Sequence, residues 1–378
     1  MAPAGLADPF GLVGAVVERQ FRVDALVGEG GFGVVYKGWH LTLEQPVAIK
    51  ALKMPDAHDA RTQATVLARF REEAKLSYVL SQATLNVVRT IDFGATTVPT
   101  GAWVPFAVLE WLEGETLAEE LRRRRAQEMR GRPLAEAMKL LEPGARALAL
   151  AHQRRVAHRD VKPGNFFVLA PGAAAGGATL KLLDFGIAKV MREGSTASGT
   201  TSSGLLSFTP QYAAPEQIDP RYGGTGPWTD VYGLALVLLE VLTDRAPFDA
   251  VDLAGIVGAI IDPARRPTPR GRGAVVPEAV EAILARAVAV DPRQRFADAG
   301  QLWDALEVAG ARVATLPPGS MQAVHPSYLP PIQPGPPPPP LPPSPTSART
   351  ANVVALVLGT GLTLLVLLAL ATWIVTRR

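Results

Sequence analysis

Residues 158–165 read His158-Arg159-Asp160-Val161-Lys162-Pro163-Gly164-Asn165, and the layout of the whole chain follows from them. A carboxylate, an ammonium and a carboxamide stand within six positions, and Pro163-Gly164 mark a turn. Nineteen residues beyond Asn165 comes Asp184-Phe185-Gly186. An Asp as base, a Lys against phosphate charge, and an Asn with a second Asp for Mg²⁺ make up a phosphoryl-transfer site. A short His/Arg/Asp cluster by itself is an ordinary solvated loop. The full octet with a later Asp-Phe-Gly is a specific signal.

Upstream, residues 21–40 place Gly28-Glu29-Gly30-Gly31-Phe32-Gly33 between two short runs rich in Val and aromatics. This pattern predicts strand, glycine loop, strand. A dinucleotide fold would open a helix directly after the glycines, and Val34-Val35-Tyr36 is a poor helix start. A P-loop would need Gly-Lys-Ser/Thr, which is missing. The better fit is a hairpin whose backbone N–H groups close over phosphates, with Val35 as an apolar roof over a base.

Val47-Ala48-Ile49-Lys50 is a third strand. Alternation puts Ala48 on the same face as Lys50, where its small side chain leaves room for the base. Residues 61–81 predict a helix on which Glu73 shares a stripe with Val66, Phe70 and Leu80, so Glu73 is the expected partner of Lys50. Glu72 is the alternative. Strands are expected at 87–91 and 105–109, with a loop over 95–103 between them. At Glu110-Trp111-Leu112 the composition turns from strand-like to helical, which marks a hinge beside a cleft.

Arg122 to Arg125, with Arg130 and Arg132, read as a solvated helix face, with anionic lipid as the alternative partner. Residues 133–156 predict a buried helix leading into the octet. Residues 190–209 are dense in Ser, Thr and Gly and cannot bury enough surface to order themselves. Residues 231–242 are apolar nearly all round and predict a buried helix with Asp230 at its start.

The tail changes character twice. Proline dominates 311–350, a composition that makes a semi-stiff extended spacer. Residues 351–375 are an uncharged apolar run of 25, enough to cross a bilayer. Only 376–378 follow, so no domain is expected beyond it. Composition excludes other classes. There are no cysteines, which rules out disulfides, cysteine-ligated zinc and a catalytic thiol. A net charge of +3 gives no reason to expect a nucleic-acid partner. The first 20 residues lack a secretory signal pattern.

In order and spacing these motifs resemble the Hanks-type (eukaryotic-like) serine/threonine protein kinases, particularly the membrane-anchored bacterial ones. The resemblance implies an α+β bilobal kinase fold, with a small β-rich N-lobe and a larger helical C-lobe. Its expected boundaries are a flexible lead-in at 1–17 and a kinase domain at 18–310, divided into lobes at 18–109 and 110–310. A disordered proline-rich linker at 311–350 and a single transmembrane helix at 351–376 complete the chain.

By the same resemblance Gly28, Glu29, Gly30 and Gly33 cover the ATP phosphates, with Val35 and Ala48 around the base. Lys50 is the phosphate lysine and Glu73 its helix partner. The backbone of Glu110 and Leu112 would hold adenine. Asp160 is the catalytic base, Lys162 steadies the γ-phosphate, and Asn165 and Asp184 are ligands for Mg²⁺, with Mn²⁺ as the alternative ion. Glu216 and Arg295 form a buried ion pair tying the activation segment to the lower lobe. Lys162 after Asp160, and Thr209 before Ala214-Pro215-Glu216, fit the serine/threonine class; Phe208, where the family has Gly, is a departure.

Arg159 beside the base implies control by a phosphate on Ser195, Thr196, Ser198, Thr200, Thr201, Ser202, Ser203 or Ser207. The implied partners are ATP, protein substrates bearing Ser or Thr, the lipid bilayer, and a second copy for trans-autophosphorylation. The expected location is the inner membrane, with the kinase domain in the cytoplasm and the C-terminus outside.

Overall fold

The structure, a computed structural model, describes residues 8–30, 33–53, 60–99, 101–173, 179–185, 210–250 and 252–314. The tip of the glycine loop, the eight Ser/Thr phosphorylation candidates, Phe208, Thr209, the proline-rich segment and the apolar run at 351–375 lie outside these residues. No helix among the described residues is long and apolar enough to cross a membrane.

The N-lobe is one antiparallel sheet. Its strands are β1 (Val16–Val17), β2 (Phe21–Glu29), β3 (Gly33–His40), β4 (Gln45–Leu52), β5 (Thr90–Thr97) and β6 (Trp103–Glu110), in the order β1-β2-β3-β4-β6-β5. Alternation divides the two faces. Val34, Tyr36, Val47 and Ile49 are buried in a core with Phe21, Val23, Phe106 and Val108. The intervening residues, Val35 and Ala48, are half-buried on the other face, and Val35 pairs in register with Lys50. Helix α1 (Ala60–Ala83) packs on β5.

Two sequence expectations change here. The Thr- and Gly-rich stretch from Ala95 is not a loop from its start, because β5 continues to Thr97, paired with Trp103. Cross-strand pairing overrides its loop-like composition. The lead-in at 1–17 is not flexible from Asp8 onward. Leu12 and Val17 are each 3% exposed, and the Tyr36 hydroxyl donates to the Asp8 carboxylate at 2.6 Å. Burial raises the Asp8 pKa, but the hydrogen bonds from Tyr36, Val13 and Phe10 outweigh it and leave the group below its ordinary value.

The C-lobe starts with β7 (Gly114–Thr116) and α2 (Leu117–Ala126), which opens on a capping box between Thr116 and Glu119. Helix α3 (Leu134–Gln153) leads to the octet, and β8 (Phe166–Leu169) and β9 (Leu180–Leu182) follow it. Strands β7, β8 and β9 form a second antiparallel sheet. Then come α4 (Pro215–Ile218), α5 (Pro227–Thr243), α6 (Leu253–Ile261), α7 (Glu278–Ala287) and α8 (Ala299–Ala314). Helix α5 is buried from Thr229 to Leu242 and is the axis of the lobe. Pro227 begins it, and Asp244 ends it in the left-handed conformation at φ 50°. Gly233 lets α5 approach the octet, since a Cβ there would lie 2.7 Å from the Val161 carbonyl oxygen.

The arginine run is only in part a solvated face: Arg122 and Arg130 are exposed without a carboxylate partner among the described residues, and the other four are paired. Arg124 pairs with Asp244 at 3.0 Å, Arg125 with Glu240, Arg132 with Glu120, and Arg123 with Glu115 at 2.6 Å. The Arg124 and Arg125 pairs clamp α2 to the end of α5. Guanidiniums committed to internal carboxylates are not a lipid-docking surface.

Candidate active site

The octet is held from beneath by one carboxylate. Asp230, 1% exposed, accepts from the backbone N–H of His158 and of Arg159, each at 2.6 Å, and contacts His152 Nε2 at 2.8 Å. Hydrogen bonding on both sides of each ring sets the tautomers. His152 Nδ1 accepts from the Ala299 N–H at 3.1 Å, so Nε2–H donates to Asp230. His158 Nδ1 accepts from the Asp160 N–H at 3.3 Å, so its Nε2–H donates to the Leu183 carbonyl at 2.8 Å. His158 therefore ties the octet to the strand entering Asp184, and its ring packs on Phe185 with centroids 4.7 Å apart. Arg159 and Asp184 both sit at positive φ, 63° and 57°. Strain of this kind persists only where surrounding bonds over-determine the backbone, as they do here.

The reactive side chains converge on Asp160. Its Oδ2 lies 2.7 Å from Lys162 Nζ and accepts from Asn165 Nδ2 at 3.0 Å. Asn165 Nδ2 also donates to the Asp160 carbonyl at 2.6 Å, so the carboxamide nitrogen is spent and its oxygen is the group left for a ligand.

Facing them, Lys50 Nζ lies 2.5 Å from Asp184 Oδ2. Burial pushes the Asp184 carboxyl up, but Lys50, His158 and Lys162 outweigh it and hold it below the ordinary carboxylate value. Sequence reasoning paired Lys50 with Glu73. Glu73 is on α1, but its side chain lies outside the described residues. The alternative, Glu72, is spent at the surface on Lys75 at 2.7 Å.

Above the cleft, the Gly30 N–H donates to the Gly33 carbonyl at 2.8 Å, closing the base of the glycine loop. A Cβ on Gly33 would lie 2.4 Å from the Ala51 carbonyl oxygen, so packing demands glycine there. Gly28 and Gly30 have open space around them, which leaves their role to the loop itself. The Glu29 carboxylate binds Lys53 at 2.5 Å, tying the loop to β4.

At the hinge, Glu110 and Leu112 are half-buried. The Glu110 carboxylate accepts from Lys181 Nζ at 2.5 Å and from the Arg89 N–H at 2.8 Å. Sequence reasoning missed Lys181. Its signal is a single lysine in the apolar run before Asp184, a position with no reason to be charged unless paired. Lys37 lies over the ring of Trp111, 4.6 Å from its centroid, and covers the outer edge of the hinge.

Glu216 and Arg295 meet as expected. All five guanidinium N–H groups find acceptors: the two Glu216 oxygens and the carbonyls of Ala289, Trp228 and Val290. Thr229 Oγ1 donates to Glu216 at 2.8 Å.

The donor set suits a hard divalent cation. Asp184 is held ionised and Asn165 offers an oxygen, while no group of three or more His, Cys, Asp or Glu converges among the described residues. A magnesium-type ion is commonly held by one or two protein oxygens, with nucleotide phosphates completing the shell.

The protein kinase domain family matches residues 21–304. The chain is 32% identical to the serine/threonine-protein kinase PknL of Mycobacterium tuberculosis over 316 residues, covering 83% of this chain and 71% of that one. It is 33% identical to the serine/threonine-protein kinase pkn2 of Myxococcus xanthus over 328 residues, 85% of this chain and 35% of that one. The crystal structure of the M. tuberculosis PknI kinase domain superposes with a TM-score of 0.54 at 22% identity, covering 81% of this chain and all of that one, a likeness of fold. A family with this domain uses ATP, a divalent metal and protein acceptors. The motif order, the bilobal fold and these relatives agree: the chain belongs to the Hanks-type protein kinases and is a serine/threonine protein kinase.

Proposed function

We propose that Asp160 orients a substrate Ser or Thr hydroxyl and accepts its proton as the ATP γ-phosphoryl group transfers. The observation that carries this is the convergence of Lys162 and Asn165 on Asp160 Oδ2. Lys162 holds the carboxylate and is placed to offset charge on the γ-phosphate. Lys50 is held at the cleft by Asp184 and serves the other phosphates. Asn165 and Asp184 would hold the divalent ion, which supplies charge neutralisation when bound. Positioning and charge stabilisation are the main catalytic terms for this chemistry. Gly28, Gly30 and Gly33 cover the phosphates, and the backbone of Glu110 and Leu112 receives adenine. The test is a labelled-phosphate assay on the full chain. Wild type labels a generic Ser/Thr acceptor and Asp160→Asn loses at least a hundredfold; equal labelling overturns the assignment.

Control is assigned to phosphate on the 190–208 segment, added by a second copy. The support is Arg159, whose Nε is buried without a hydrogen-bond partner among the described residues. An anion delivered there would satisfy it. Mass spectrometry of active protein finding that segment unmodified rejects the switch.

The apolar run at 351–375 is assigned to the bilayer, with the kinase domain on the ATP-containing side and the C-terminus outside. A C-terminal tag digested by external protease in intact cells is the expected result. Full protection contradicts the topology.

A further inference from the structure

A second site lies in the C-lobe, remote from the cleft chemistry. The segment from Asp262 to Gly273 reads Asp-Pro-Ala-Arg-Arg-Pro-Thr-Pro-Arg-Gly-Arg-Gly, four arginines against one aspartate. It folds back beside α6 and borders an open pocket of about 370 Å³ with Phe248, Asp249, Arg265, Arg266, Thr268 and Arg272 in its walls. Backbone bonds hold the loop: Arg272 N–H to the Thr268 carbonyl at 2.9 Å and Ala274 N–H to Pro269 at 2.8 Å. Pro263, Pro267 and Pro269 stiffen it further. The loop backbone that carries the arginines is therefore preset, which lowers part of the ordering cost of binding.

The charge in the cavity is unbalanced. Arg272 is a wall fixture, with Asp249 and the Ala246 carbonyl taking its two terminal nitrogens. Its Nε is buried and has no hydrogen-bond partner among the described residues. Arg265 and Arg266 are exposed and have no acidic partner among the described residues, and only Arg266 Nε is spent, on the Pro263 carbonyl at 3.0 Å. On α2, Arg123, Arg124 and Arg125 are each paired with a carboxylate; these two are not.

We infer that this cavity is a docking site for a phosphorylated Ser or Thr side chain on the protein substrate. It rests on the kinase reading of the cleft and adds a recognition element for what the cleft phosphorylates. Planar guanidiniums bind phosphate oxygens in pairs. The location favours a protein over a membrane. Helix α6 packs on the 210–212 turn and on α4, the end of the activation segment, which puts the pocket on the side of that segment. The basic groups are gathered at one pocket with Asp249 in its wall, whereas lipid docking calls for an extended basic face. Phosphoserine and phosphothreonine are also what this enzyme makes, so a substrate modified once would be retained for a second transfer.

The test uses the full chain in detergent. Binding is measured on Asp160→Asn without ATP, so it does not depend on transfer, using a short fluorescent Gly/Ala peptide with one phosphoserine and its unphosphorylated twin. The phosphopeptide binds and the twin does not. Arg265→Gln with Arg266→Gln weakens binding about tenfold, as loss of two charge-assisted contacts predicts, whereas Arg122→Gln with Arg154→Gln, equal charge removed from outside the cavity, has no effect. In the otherwise wild-type chain the Arg265/Arg266 variant raises KM for phosphorylated casein with kcat unchanged, and KM for dephosphorylated casein is unmoved. Equal binding of peptide and twin, or equal loss in both double variants, overturns the proposal. So does loss of binding to phosphatidylglycerol vesicles with phosphopeptide binding intact, which would assign the cavity to lipid. Failure of even the wild type to phosphorylate either casein would count against the cleft assignment, leaving the binding result to stand alone.

Discussion

Arg295 and Glu216, 79 residues apart, form a two-pronged ion pair at 2.9 Å on both arms, with neither side chain exposed. The pair joins the end of the activation segment to the segment between α7 and α8. Removing one partner strands a charge in the core, a loss of about 3–5 kcal/mol. Arg295→Ala should therefore lower Tm by roughly 10 °C in a lobe of this size. Arg295→Lys should recover little of it, because one ammonium cannot replace five donors in a fixed fork. Thermal melts of the two variants beside wild type decide this; equal rescue by Lys would contradict the geometry.

The Lys50–Asp184 contact makes a pH prediction. The folded pKa of Asp184 is below its ordinary value of 3.8, because Lys50, His158 and Lys162 outweigh burial. A depressed carboxylate contributes stability that is present above 3.8 and is lost as pH falls through the folded value. The stability difference between wild type and Asp184→Asn should be constant near neutrality and shift only below about pH 4. Urea unfolding at a series of pH values measures it, and a shift centred near neutrality would contradict the sign.

Lys181 and Glu110 predict a change in nucleotide binding rather than turnover. The pair anchors the strand that hands the chain to the hinge, so Lys181→Met leaves the Glu110 carboxylate held by the Arg89 N–H alone, without touching the reacting groups. KM for ATP should rise about three- to tenfold with kcat within twofold, the loss of one half-buried charge-assisted bond. An unchanged KM would show that the β5–β6 pairing alone sets the hinge.

What could be read from the chain was whatever local order encodes. The octet, the glycine hairpin, Lys50 and Glu216 each carry their chemistry in a short window, and the structure brings Asp160, Lys162 and Asn165 together and sets Lys50 beside Asp184. What escaped depends on distant partners. Asp8 looks like part of a featureless lead-in until Tyr36 folds onto it from 28 positions away. Arg124 and Arg125 look solvated because their acids, Asp244 and Glu240, are more than a hundred positions downstream. The basic cavity exists only once α6 and the loop after it close on Phe248 and Asp249. Periodicity reports a face, and it does not report what the face meets.

The cluster of Tyr212, Glu240 and Arg125 gives the last prediction. Tyr212 and Arg125 both donate to the Glu240 carboxylate, so the 210–212 turn, α5 and α2 share one buried acid. Burial raises the Glu240 pKa above its ordinary 4.5, and the bonds from Tyr212 and Arg125 only partly offset it. A raised carboxylate disfavours the folded state progressively as pH climbs from the ordinary value to the folded one. Arg125→Ala removes one of the offsets and should raise the folded value further. Its stability deficit should therefore be small near pH 4 and grow towards neutrality, reaching about 1–2 kcal/mol after discounting for the partial exposure of Arg125. Adding Glu240→Gln should abolish the pH slope, since the ionising group is gone. Unfolding free energies from pH 4 to 8 for the single and double variants measure both effects. A deficit in Arg125→Ala that is flat with pH would mean the guanidinium stabilises by packing along α2 and not through the buried acid.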